Sequence, residues 1–182
     1  VVVEPMPHYA QKIRDRRPRA KVFNCAAGAR CGEIKLTIAQ GAEAFSTMRN
    51  ETTHMDRIQR AQAQFEEVVV PMRTMDDILN EAGVREVDFI TIDVEGAEEE
   101  VLAGLDLSRW KPRIVILENN LGRYALKLHD LIWRDGYQFW RRTGCNEWYV
   151  SATETHVATI WRRSRNSLRA AVFWMIGSIH SV

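Results

Sequence analysis

The sequence predicts an α/β domain built on a mainly parallel sheet that closes in an antiparallel hairpin. Three observations carry that expectation. Strand-like apolar runs alternate with helical patterns along most of the chain, as βαβ units require. The run Val87-Asp-Phe-Ile-Thr-Ile-Asp-Val-Glu-Gly-Ala-Glu-Glu-Glu-Val-Leu-Ala-Gly-Leu105 reads as a buried strand, a sharp turn at Gly96 and a helix. Finally, three expected strands finish in acids, at Glu4, at Asp93 and at Glu118-Asn119. Ligands in open α/β sheets sit outside the carboxyl ends of the strands, so these acids are expected to face a crevice.

Val1-Val-Val forms the first short strand, ended by Glu4 and Pro5. Tyr9 and Ile13, four residues apart, predict a helix over about 7–17 with a polar, basic remainder. A second strand is expected over 21–27, with Gly28 and Gly32 bracketing the turn after it. The alternation of Ile34, Leu36 and Ile38 predicts a half-exposed strand over 33–39, and 40–67 reads as a long loop or loose helix. Val68-Val-Val is a short strand. Thr74 caps a helix whose first turn holds Asp76 and Asp77 and which ends near Gly83. In the helix after Gly96, Ala97, Val101, Leu102 and Leu105 share the buried face, while Glu98, Glu99 and Glu100 are expected to be solvated acids near the favourable dipole end. A buried strand over 113–118 and an amphipathic helix over 123–135, stopped by Gly136, follow. Residues 137–142 and 148–152 make the hairpin across Gly144-Cys-Asn.

At 182 residues the chain can bury a substantial core, and with a formal net charge of +1 nothing in the overall balance calls for nucleic acid or an acidic partner. The basic runs 14–19 and 162–169 lack interleaved stacking residues and read as solvated faces. Cys25, Cys31 and Cys145 form neither an even set nor a CxxC pair, which fits a reducing, cytoplasmic compartment. No apolar run is long enough to span a bilayer. Absence of a GxxxxGK[ST] loop excludes a P-loop nucleotide hydrolase. The aromatic cluster Trp133, Tyr137, Phe139, Trp140, Trp148 and Tyr149 is expected to pack the last helix and hairpin, although such rings also stack on sugars. His129 reads as a boundary residue of its helix, and His54, in the polar loop, as a general-base candidate.

The chain resembles the FkbM family of S-adenosylmethionine-dependent methyltransferases. The resemblance rests on Val3-Glu4-Pro5, the small-residue turn over 24–33, Thr74-Met75-Asp76-Asp77-Ile78-Leu79, the segment Val87–Glu98 and Ile116-Leu117-Glu118. It covers about residues 1–150, and Ile92-Asp-Val-Glu-Gly-Ala-Glu98 is its most specific part. It implies a Rossmann-like class I sheet and O-methylation of a hydroxyl on a sugar, glycan or polyketide-type metabolite. Glu4 is then the acid accepting hydrogen bonds from the cofactor ribose, and Ala26 the small residue beside adenine. Asp93 lies near the methionine end and the acceptor, with Asp93 and Glu95 as the catalytic pair and Glu118 and Asn119 lining the acceptor side. Asp93 with Glu118-Asn119 also resembles the oxygen ligands of metal-dependent O-methyltransferases; a bound Mg²⁺ is not the expectation, and a hydrogen-bonded strand-end pair is.

In that family a first strand and glycine-rich loop come before the position of Glu4, and here Val1 opens directly into the Glu4 strand. The turn between Cys25 and Gly32 does not substitute for that loop, because a strand pattern rather than a helix follows it. The chain is therefore expected to be an N-terminally truncated domain over 1–155 that by itself binds S-adenosylmethionine weakly or not at all, with a sheet edge left open beside Val1–Glu4 through which it could self-associate, followed by a basic and then apolar tail over 156–182. Three fates suit the tail: docking on the domain, which is preferred, dimerisation, or lying on a membrane surface. A non-catalytic interaction module with the same fold is the competing functional reading.

Overall fold

The computed structural model describes residues 1–39, 65–120, 126–153 and 171–174. In chain order these form β1 (Val2–Val3), α1 (Pro7–Arg16), β2 (Val22–Phe23), β3 (Ala26–Ala27), β4 (Gly32–Ala39) and β5 (Phe65–Arg73). Next come α2 (Met75–Glu81), β6 (Phe89–Ile92), α3 (Glu98–Ala103), α4 (Leu107–Trp110) and β7 (Ile114–Glu118). The chain continues through α5 (Leu126–Arg134), β8 (Tyr137–Thr143), β9 (Asn146–Ser151) and β10 (Ala171–Trp174).

The main sheet has the order β2-β1-β10-β6-β7-β9-β8. Its strands run parallel except β9, which is antiparallel to both neighbours and so makes the closing hairpin. Gly144 turns that hairpin at φ +61°, a conformation glycine adopts without steric cost. The core lies between this sheet and its helices: Val3, Ile90, Ile92, Val115, Leu117 and Tyr149 from the strands meet Ile78, Leu79, Val101 and Ile132.

Two expectations for the sheet change. The strand foreseen over 21–27 divides, because Asn24 turns back and donates its side-chain amide to the carbonyls of Glu4 (2.9 Å) and Pro5 (2.8 Å). Only β2 stays in the main sheet; β3 joins a second sheet, β3-β5-β4, in which β4 and β5 are antiparallel. The open edge foreseen beside Val1–Glu4 is also absent. β10, from the apolar part of the tail, pairs in parallel with β1 on one side and β6 on the other. The run Ala171-Val-Phe-Trp174 has the β-branched and aromatic composition that suits an interior strand. Docking is thus the fate that residues 171–174 adopt.

The elements before the central strand–turn–helix are held by specific polar contacts. Thr74 caps α2 as expected, its Oγ1 accepting from the Asp77 amide at 3.1 Å. Asp76 Oδ1 accepts from the Trp110 indole (2.7 Å) and the Asp106 amide (3.0 Å), which ties the short α4 to α2. Gly104, at the end of α3, lies so close to the β3–β4 turn that a Cβ there would stand 2.0 Å from the Gly28 carbonyl oxygen. Backbone, not a flexible side chain, is in the way. Gly104→Ala should therefore destabilise the domain by about 1–3 kcal/mol, the usual cost of overpacking, seen as a lower urea midpoint with unchanged slope. Among the described residues no helix is long and apolar enough to cross a membrane.

Candidate active site

Parallel register brings the strand-end acids to one edge. Ile92 pairs with Leu117, so Asp93 and Glu118 stand level at the carboxyl ends of adjacent strands. Glu4 follows β1, one strand beyond β10, at a lateral distance of about 10 Å from the β6 position.

The turn after β6 explains how the acids converge. Val94 is fully buried and anchors the turn, while Glu95 (φ +50°) and Gly96 (φ +102°) are both left-handed. A non-glycine residue there costs energy, so the surrounding contacts must hold it. Glu98 supplies part of that hold. It is buried, not solvated as the sequence suggested, and its Oε1 accepts from the amides of Val94 (3.2 Å) and Gly96 (3.3 Å). Burial raises its pKa against those hydrogen bonds.

Asp93, Glu95 and Glu118 form a cluster in which one carboxylate oxygen from each lies within 4.8 Å of the others. At such separations each ionised pair repels by roughly 3–4 kcal/mol at an effective dielectric of about 20. The Asp93 pKa is accordingly pushed from 3.8 to about 8, by burial first, then by the charge of and hydrogen bonding with Glu118, then by Glu95 and Glu98. Glu118 is 9% exposed, and its Oε2 is buried without a hydrogen-bond partner.

Glu4 is 2% exposed, with its Oε1 accepting the Met6 amide at 2.8 Å. Burial raises its pKa from 4.5 to about 7, and the Met6 hydrogen bond offsets only part of the rise. A buried carboxylate left under-compensated in this way is suited to take hydroxyl donors from a ligand. Asn24, which the sequence reading did not single out, fixes the backbone around it through the two carbonyl contacts described above. Ala26 is fully buried in β3, packed with Leu36 and Val70 of the second sheet.

The structure separates Glu118 from Asn119. Glu118 joins Asp93 and Glu95, whereas the Asn119 amide donates to Glu147 Oε2 at 2.9 Å and lies 3.4 Å from His129 Nε2. Glu147 also meets His129 Nε2 (3.1 Å), Tyr149 Oη (2.6 Å) and Arg142 Nη1 (3.0 Å). Burial opposes its ionisation, yet hydrogen bonds from Asn119, Tyr149 and His129 outweigh it and lower the pKa. Glu147 was not foreseen, though an acid two residues before Tyr149 on the inward face of an alternating strand is a visible signal.

His129, Trp133, Phe139, Arg142, Glu147 and Tyr149 line a pocket of ≈ 390 Å³. Trp133 and Phe139 are 56% and 50% exposed, so these two rings do not pack the core as expected, while Tyr137 and Tyr149 do. His129 is half-buried at this wall, and His54 lies outside the described residues.

The Methyltransferase FkbM domain model matches residues 1–139. A 2-O-methyltransferase, NoeI, from Sinorhizobium fredii (strain NBRC 101917 / NGR234) is 29% identical over 124 residues, covering 63% of this chain and 51% of the relative. The chain thus spans about half the length of that curated relative. No solved structure matches.

Proposed function

This chain belongs to the FkbM methyltransferase family, and we propose that it methylates a hydroxyl of a sugar, glycan or polyketide-type acceptor with S-adenosylmethionine as donor. The observation that carries this reading is the placement of an under-compensated Glu4 and the Asp93–Glu95–Glu118 cluster on one carboxyl edge of a mainly parallel sheet. That edge is where a Rossmann-like sheet holds its ligands.

S-adenosylmethionine supplies a sulfonium methyl group for in-line displacement. Glu4 would accept hydrogen bonds from the ribose hydroxyls, and Asn24 would keep Glu4 in register. Asp93 as the carboxylate would take the acceptor hydroxyl proton, so that the oxygen attacks as it is deprotonated. Burial, and after it Glu118 and Glu95, raises the Asp93 pKa to about 8, where a carboxylate is a far stronger base than in water. Much of the rate gain would come from alignment of acceptor oxygen and methyl group. Ala26 would contribute only the small volume that lets the adenine side of the domain close.

Trp133 and Phe139, exposed on the wall of the pocket formed with His129, Arg142, Glu147 and Tyr149, would offer stacking faces to a ring-shaped, hydroxyl-bearing ligand. Labelled methyl transfer to a panel of mono- and oligosaccharides and polyketide-type alcohols tests the reading. Expected is a base-stable methyl ether, with Trp133→Ala raising KM about tenfold and leaving kcat nearly unchanged. Label that washes out in mild alkali, as an ester would, contradicts O-methylation of a hydroxyl.

A further inference from the structure

We infer that Asp93, Glu95 and Glu118 form a binding site for one hard divalent cation, such as Mg²⁺, Mn²⁺ or Ca²⁺. One carboxylate oxygen from each of the three side chains lies within 4.8 Å of the others, close enough to share an ion at the 2.0–2.6 Å contacts such cations make. A cluster of acids is not by itself a site. The second observation is Glu118: the residue is 9% exposed, and its Oε2 is buried with no hydrogen-bond partner. Native proteins rarely leave a buried carboxylate oxygen in that state without an ion or water to satisfy it.

The ligand chemistry is specific as to class. All three donors are carboxylates, with the Cys145 thiol hydrogen-bonded to Glu118 beside them, and an all-oxygen donor set points to hard, oxygen-preferring cations. The set also differs from the one the sequence suggested. Asn119 is engaged with Glu147 and His129, and Glu95, carried inward by the left-handed turn, takes the third place. Among the described residues three carboxylates are offered, and with one oxygen from each bound, further coordination positions are left for water or an acceptor oxygen.

Binding of the ion stands independently of the methyltransferase reading; its role rests on that reading. Within it, the three carboxylates would hold the cation, whose charge offsets the repulsion among them. The cation would orient the acceptor hydroxyl and lower its pKa.

Calorimetry of the metal-stripped 182-residue chain with MgCl₂, MnCl₂ and CaCl₂, without cofactor, tests the site, with loss of the free Mn²⁺ electron-spin-resonance signal as a second readout. Saturable binding of one ion per chain is expected. Glu118→Gln and Glu95→Gln should each weaken it at least about tenfold, with Glu66→Gln as an exposed control that leaves it unchanged. Two variants are used so that a folding defect in one, checked by circular dichroism, does not decide the matter. No saturable binding of any of the three ions up to about 10 mM, well above weak-site affinities, overturns the proposal. So does binding that both variants retain at full strength. Cofactor affinity measured in chelator reports on the methyltransferase reading separately.

Discussion

Asp93→Asn should abolish methyl transfer and at the same time stabilise the fold. The substitution removes charge at nearly constant shape, so the proposed base is lost while the turn after β6 is preserved. The stability gain has a definite sign. Asp93 is raised from 3.8 to about 8 in the fold. Its protonated form is therefore the one the native state favours, and stability falls as pH rises from the unfolded value through about 8. An amide carries no such penalty. Measured in chelator, the variant should melt above wild type at pH 8.5 and near it at pH 4, with about 2–4 °C for each kcal/mol recovered. Wild-type turnover would assign Asp93 to structure, and a melting temperature lower at both pH values would mean that the carboxylate cluster does not repel as its spacing implies.

Val172→Pro should unfold much of the domain. Val172 pairs with Ile90 in the middle of β10, and β10 stands between β1 and β6 in the parallel sheet. Proline removes the amide from that ladder and is tolerated in sheets only at edges and bulges. A cost of roughly 3 kcal/mol or more is expected, together with association through the exposed ladders of β1 and β6. Urea titration and sedimentation check both parts. An unchanged midpoint in a monomeric variant would place residues 171–174 outside the sheet interior.

The comparison of these two sites shows what a sequence can and cannot convey. The Asp93 turn was legible because its signals are local: a β-branched run, an acid, a glycine and an amphipathic helix lie in consecutive residues. β10 was not, because a short apolar run says nothing about which strands it will pair with across 80 residues or more of chain. Glu98 was misjudged for a related reason. Its charge suggests solvent, but the left-handed turn at Glu95 and Gly96 presents two amides that only a carboxylate folded back from the helix start can reach. Glu118 and Asn119 face different neighbours because consecutive residues at a strand end point to opposite sides. Asn119 accordingly reaches Glu147 and His129. Trp133 and Phe139 carried no mark that distinguished a stacking wall from core; only their exposure does so.

Calorimetric titration of S-adenosylmethionine into the protein in its full-length context, in chelator and across pH 6 to 8, tests the central claim most directly. In the proposed role Glu4 must be ionised to accept two ribose hydroxyls, and burial raises its pKa in the fold to about 7. Affinity should therefore rise as pH passes through 7. Glu4→Ala should bind at least about tenfold more weakly, since losing a partner of charge-assisted hydrogen bonds costs about 1.5–3 kcal/mol, and should lose that pH dependence. No saturable binding by the folded wild-type protein in that context, or a dissociation constant that Glu4→Ala leaves unchanged, would contradict the assignment of this sheet edge to the cofactor.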